Sequence, residues 1–248
     1  MIPDITAFVP IKLESLRVPG KNIRKLGDKP LCQYVLDTLL EVKKSGYVKK
    51  VCVYCSSPSI AEYLPQGVEL VLRSPSLDGQ FVEGIDIYQA FQRQISSQWY
   101  LLCHTTSPFL HRDTIIDCIK QVVLNRVGSV GRVDGSVGRV DVMNSGKDYD
   151  SAMTVARVKT FSWFNRQPLN YTPSMGIPRT QTLNPVVWET SGLYLFPGCL
   201  LESGTRVGDR PYMKLVGHRE AVDIDTEDDW ELAEAYAIKI QMGTLGLH

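Results

Sequence analysis

Two aspartates one residue apart, in the stretch VDIDTEDD at residues 222–229, are the first candidates for chemistry in this chain. Asp223 and Asp225 alternate with Val222 and Ile224. On an extended backbone both carboxylates point the same way, while Ile224 points to the core. Two anions side by side repel unless a cation sits between them, and hard oxygen ligands suit Mg²⁺. The plainer reading is a capping cluster; Glu227, Asp228 and Asp229 fit the positive N-terminus of a following helix. A second group lies in VPIKLESLRVPGKN, residues 9–22, where Lys12, Ser15, Arg17, Lys21 and Asn22 directly follow an apolar run. Lysine and arginine meet phosphate charge, and a hydroxyl and loop amides add hydrogen bonds. Pro19 and Gly20 turn the chain and let its backbone approach closely. A solvated surface loop is the alternative.

Two further groups are neutral or singly charged. His104, Thr105, Thr106 and Ser107 in HTTSPFLHR offer donors and acceptors to a polyhydroxylated substrate, or form an ordinary capped strand end. Arg73, in LVLRSPSLDG, ends another apolar run, where it reaches a base or a phosphate or lies on the surface. All four groups follow strand-like runs. In open parallel sheets, ligands bind at the carboxyl ends of the strands. Cations, a carboxylate pair and neutral hydrogen-bonders at one sheet edge are what phosphoryl transfer needs: charge stabilisation and a positioned attacking hydroxyl.

The elements that must position these residues alternate. Strands are predicted at 5–11, 51–56, 69–73, 99–106 and 151–158. Between them, helices are predicted at 30–46, over SIAEYL, at 82–95 and at 113–125. Strand character returns at 192–196 and 213–216. A last helix starts at Thr226, with Asp229 completing a capping box, and stops near Gly243. This rhythm predicts a single α/β domain with a mostly parallel sheet covered on both faces.

Two segments interrupt it. Residues 126–146 carry a near-duplicate, SVGRVDG then SVGRVDV, and form a Gly-rich insertion too short for a solenoid. No G-K-[ST] follows, so this is not a P-loop. Residues 159–191 hold four prolines and several aromatics, a composition suited to covering a ligand or a partner subunit.

Composition narrows the classes. The 248 residues carry 27 Lys+Arg and 27 Asp+Glu, so no basic excess points to nucleic acid. No apolar run approaches the roughly 20 residues of a membrane span. MIPDITAFVP has no basic leader and reads as the first strand. The six cysteines lie mostly in apolar runs, consistent with a reducing cytoplasm. Cys52 and Cys55 form a C-x-x-C within a strand. Residues three apart on a strand face opposite ways, so a shared metal or disulfide is not expected.

The quoted motifs resemble the CMP-sugar synthetases, the acylneuraminate cytidylyltransferases and their 3-deoxy-manno-octulosonate relatives. VPIKLESLRVPGKN, GDKPLCQYVLDTLL, HTTSPFL, PRTQ, the G-x-Y-x-F strand and AVDIDTEDDWELAE are similar in order and spacing across nearly the whole chain, except 126–146. The resemblance implies a Rossmann-like fold of the nucleotide-diphospho-sugar transferase type. It also implies a homodimer in which residues 159–190 reach the partner. The implied reaction transfers CMP from CTP to the anomeric hydroxyl of a nonulosonic acid, releasing pyrophosphate. By position, Lys12, Ser15, Lys21, Asn22 and Arg73 would hold CTP, and Asp223 and Asp225 would hold Mg²⁺. Lys21 and Asp225 would be catalytic, and His104, Arg179, Ser191 and Tyr194 would face the sugar acid. Three positions depart from the family pattern: Lys12 stands for an arginine, His104 for a glutamine and Ser191 for an asparagine. The last two lie on the sugar side, so sialic, legionaminic and pseudaminic types all remain open. Rival readings are an octulosonate synthetase, a nucleotidyltransferase using another base, and a non-catalytic nucleotide-binding homologue.

Overall fold

The computed structural model describes residues 3–15, 17–125 and 148–243. The Gly-rich repeat lies outside these residues. β1 is Ile5–Ile11, followed by α1 at Leu31–Lys44, β2 at Lys50–Cys55 and β3 at Glu69–Leu72. α2 at Gly84–Gln94 leads to β4 at Trp99–Cys103, and α3 spans Arg112–Ile119, its axis continuing as a π-turn over Lys120–Leu124. Then come β5 at Ser151–Val158, β6 at Val186–Pro197, the short α4 at Gly198–Glu202, β7 at Pro211–Leu215 and α5 at Glu227–Gln241.

Seven strands form one sheet in the order β3-β2-β1-β4-β6-β5-β7. All neighbours run parallel except at β6, which is antiparallel to both β4 and β5. The alternation of apolar residues predicts the two faces. Ala7 and Val9 of β1 pack under α1 and α3, while Phe8 stacks on Phe91 of α2, ring centroids 4.4 Å apart. Cys52 joins the α2 face and Cys55 the α1 face, both buried and free, as period two requires.

A third apolar cluster sits beyond the strand ends. Val18 and Leu26 of the β1–α1 loop meet Leu31, Phe109, Val222, Ile224 and Trp230 there. This cluster docks α5 against the opening loop and so holds the loop and the acidic run together. The extension between β5 and β6 contains the small hairpin Trp163–Phe164 with Gln167–Pro168. It leaves Trp163, Phe164, Met175 and Ile177 exposed.

Candidate active site

Val222 and Ile224 are buried and Asp223 and Asp225 are not fully so, which reproduces the predicted alternation. The segment is extended but belongs to no sheet. Ile224 N–H donates to the Thr106 carbonyl at 2.9 Å, so the loop after β4 supplies the pairing that a strand neighbour would. The predicted capping box is present: Thr226 Oγ1 accepts from Asp229 N–H at 3.2 Å, and the Asp229 carboxylate accepts from Thr226 N–H at 2.8 Å. Asp229 therefore caps the helix, Glu227 pairs with Arg24, and Asp223 and Asp225 are left for other work.

The basic loop after β1 reaches that pair. Lys21 Nζ donates to the Ile224 carbonyl at 2.8 Å and lies 3.4 Å from Asp225 Oδ1. Arg17 bonds the same oxygen at 3.0 Å. Asn22 is buried: its amide donates to the Lys12 carbonyl at 2.6 Å and its oxygen accepts from Thr105 Oγ1 at 2.5 Å. It staples the loop to the end of β4. The loop is thus built into the fold. Lys12 is exposed, its ammonium on the Asp78 carbonyl, and Ser15 Oγ accepts from Val18 N–H at 3.4 Å. Arg73 is buried across the ends of two strands, donating to Ile11 O at 3.1 Å and Tyr54 O at 3.4 Å and pairing with Asp78 at 2.5 Å. Its Nε has no protein partner.

His104 occupies the other side. Its Nδ1 lies 2.6 Å from the Ser191 carbonyl, which accepts only, so Nδ1 carries the proton and Nε2 is the acceptor. Tyr88 Oη stands 3.4 Å from Nε2 and accepts from Arg206 at 3.2 Å. Burial holds the His104 pKa below the ordinary value, the ring facing Arg206, Lys21 and Asp223 as charged neighbours. It is therefore a neutral hydrogen-bonder at neutral pH. Ser191 has φ +58° where the β5–β6 register shifts, a left-handed residue that turns its carbonyl onto His104. Tyr194 is buried, with its hydroxyl on Glu189 at 2.5 Å.

The structure thus brings Lys21 to the Asp223–Asp225 segment, ties Asn22 into the loop's frame, and sets His104, Ser191 and Tyr194 together. Arg179 is apart from them, exposed on the extension, its carbonyl accepting from Thr182 N–H at 2.9 Å. Arg17 was legible as a phosphate-loop cation, but Tyr88, Glu189 and Arg206 carried no sequence signal. They come from α2, β6 and the α4–β7 loop, and only folding makes them neighbours.

A cytidylyltransferase family model matches residues 6–174, more than half of the chain and spanning the loop, Arg73 and His104. The chain belongs to the cytidylyltransferase family. A curated relative, N-acylneuraminate cytidylyltransferase A of Danio rerio, is 24% identical over 246 residues, covering 95% of this chain and 51% of the relative. The chain thus spans about half the length of that relative. Two solved structures share the fold. A CMP:2-keto-3-deoxy-manno-octonic acid synthetase complexed with CTP superposes with a TM-score of 0.64 at 14% identity, over 95% of this chain and 99% of that one. A 4-diphosphocytidyl-2C-methyl-D-erythritol synthase of Anaerococcus prevotii gives 0.57 at 13%, over 95% and 99%.

In this cytidylyltransferase-family chain the donor set fits a hard divalent cation. Asp223 Oδ1 is buried without a protein partner, and Asp225 stands beside it with oxygen to offer. Among the described residues no group of three or more His, Cys, Asp or Glu forms a closed metal cage. Two carboxylates completed by substrate phosphates is the pattern Mg²⁺ favours.

Burial raises the Asp223 pKa above its ordinary 3.8, the neighbouring Asp225 charge adding to this and the Thr106 hydroxyl opposing it. A carboxylate with a raised folded pKa binds its proton more tightly when folded. Its stabilising contribution is therefore lost as pH rises through that folded pKa, and stays lost at neutral pH. Asp223→Asn is accordingly expected to raise the melting temperature at neutral pH without divalent cations by about 2–4 °C, the shift from ~1 kcal/mol in a chain of this size. The gap should close as pH falls toward about 4. Melts across that range check it, and a less stable variant at neutral pH would make Asp223 a net stabiliser.

Proposed function

We propose that this protein transfers CMP from CTP to the anomeric hydroxyl of a sialic-acid-like nonulosonic acid, releasing pyrophosphate. The observation that carries the reading is the meeting of Lys21 and Arg17 with Asp225, beside the orphaned oxygen of Asp223. Around it stand the strand ends that the family match also covers. Lys12, Lys21 and Arg17 would bind the triphosphate, whose charge replaces the carboxylate that now holds Lys21 and Arg17. Ser15 lies on the same loop as a hydroxyl donor. Asn22, which ties the loop to the end of β4, and the buried Arg73, whose Nε has no protein partner, would hold the nucleotide with them. Asp223 and Asp225 would hold Mg²⁺, which when bound neutralises charge on the α-phosphate and the departing pyrophosphate.

On the other side, His104 presents a neutral ring fixed by Ser191 and Tyr88, with the Tyr194 ring edge-on to it. These groups orient the sugar so that its anomeric oxygen attacks the α-phosphorus as the bond to pyrophosphate breaks. The apolar side chains exposed on residues 159–190 support a homodimer in which this extension, which also carries Arg179, covers the partner's site. No described helix is long and apolar enough to cross a membrane.

Pyrophosphate release is the test. CTP should be preferred over UTP, GTP and ATP, and a nonulosonic acid over 3-deoxy-manno-octulosonate. Release with none of the sugar acids sinks the reading. His104→Gln should change the Michaelis constant for the sugar acid by about tenfold, one hydrogen bond's worth, and spare that for CTP. An effect confined to CTP would exchange the two substrate sides.

A further inference from the structure

We propose that Arg206 reads the carboxylate of the sugar acid. The inference rests on the transfer reaction above and names the residue that recognises the acid as an acid. The guanidinium carbon lies 3.7 Å from the centroid of the Tyr194 ring. One terminal nitrogen donates to Tyr88 Oη at 3.2 Å, and the other stands 3.8 Å from Glu189. Stacking occupies the face of the planar group and leaves its edge for hydrogen bonds. That edge matches a carboxylate with two parallel N–H···O bonds.

Two features make the edge available. Glu189 is a loose counter-ion: it is 3.8 Å away, half exposed, and already accepts from the Tyr194 hydroxyl at 2.5 Å. The Arg206 side chain itself is 30% exposed, so an incoming anion can reach it. The loop that carries it is fixed. Thr205 Oγ1 accepts from Val207 N–H at 3.1 Å, and Gly208 N–H donates to Ser151 Oγ at 2.9 Å. The aim of the guanidinium is therefore set before substrate arrives, which reduces the ordering cost of binding.

Its neighbours cannot do this task. His104, Tyr88 and Tyr194 are neutral hydrogen-bonders, and neutral donors distinguish a carboxylate from an amide poorly. Lys12, Arg17 and Lys21 are engaged at the phosphate loop. Arg179 lies apart on the extension, so among the described residues of this protomer a sugar acid lying beside His104 meets Arg206 as the cation on its own side.

The experiment compares kcat/KM for a sialic-acid-type nonulosonic acid and its C1 amide, at saturating CTP, in wild type, Arg206→Met and Arg206→Lys. Wild type should prefer the acid by about 10- to 100-fold, the range for charge-assisted bonding to a carboxylate. Arg206→Met should lose most of that preference while the CTP Michaelis constant stays within about twofold. Arg206→Lys, which keeps the charge without the fork, should retain part of it. It also carries the test should the methionine variant fail to fold. A preference that survives intact in both variants places the carboxylate elsewhere and overturns the proposal. So does a parallel rise in the CTP Michaelis constant. Wild type that releases no pyrophosphate with any nonulosonic acid overturns the proposed function instead, and the role of Arg206 falls with it.

Discussion

Asp225→Asn is expected to cost about two or more decades in the rate of pyrophosphate release, with the fold intact, as when one charge-stabilising group is lost. Asp225 Oδ1 is the point at which Arg17 and Lys21 converge, 3.0 and 3.4 Å away. In the proposed reaction those cations would be drawn to the triphosphate, which would free the carboxylate for the metal. An amide keeps the shape but removes the anionic oxygen, so it binds a hard dication far less well. Fold loss is not expected. The Asp225 side chain is 44% exposed, and exposed ion pairs contribute about 0–1 kcal/mol. α5 keeps its start because the cap is made by Thr226 and Asp229. Asp223→Asn should be damaging but milder. The measurement is pyrophosphate release across a Mg²⁺ titration, with circular dichroism as the folding control. A folded Asp225→Asn with wild-type rate and Mg²⁺ dependence would reduce the acidic pair to a capping cluster.

Lys21→Ala is expected to weaken CTP binding by about 10- to 100-fold, the cost of losing charge-assisted contact to phosphate in a partly desolvated site. The Lys21 side chain is only 13% exposed, and its ammonium is anchored on the Ile224 carbonyl at 2.8 Å. The charge is thus held in place before the nucleotide arrives. Lys25→Ala is the matched control, since Lys25 is an exposed cation on the short antiparallel pair Lys25–Leu26 with Lys29–Pro30 and its loss changes net charge equally. Calorimetry with CTP should separate the two. Equal, small effects in both would mean that the loop acts only through its long-range field.

Much of this arrangement is legible in the sequence because it rests on local rules. Period two places Cys52 and Cys55 on opposite faces of the sheet and sorts Asp223 and Asp225 from Val222 and Ile224. A hydroxyl followed three residues later by a carboxylate marks the start of α5. Strand-to-loop transitions are legible as well, so the places of Lys12, Lys21 and His104 after β1 and β4 are read from one dimension.

What tertiary structure alone decides is who meets whom. Asn22 and Arg73 read equally well as ligands or surface residues. Folding buries both: Asn22 bonds the Lys12 carbonyl and Thr105, and the sheet order brings the Ile11 and Tyr54 carbonyls to Arg73. The acidic run reads as a strand, yet its backbone pairs with the loop after β4, because its apolar side chains are drawn into the cluster beyond the strand ends. Arg206, Tyr88, Tyr194 and Glu189 lie on α2, β6 and a late loop, with no spacing that links them. Their assembly depends on the antiparallel insertion of β6 beside β4 and on the bulge at Ser191. Those are matters of strand pairing between distant segments, and local sequence carries no energy term that specifies them.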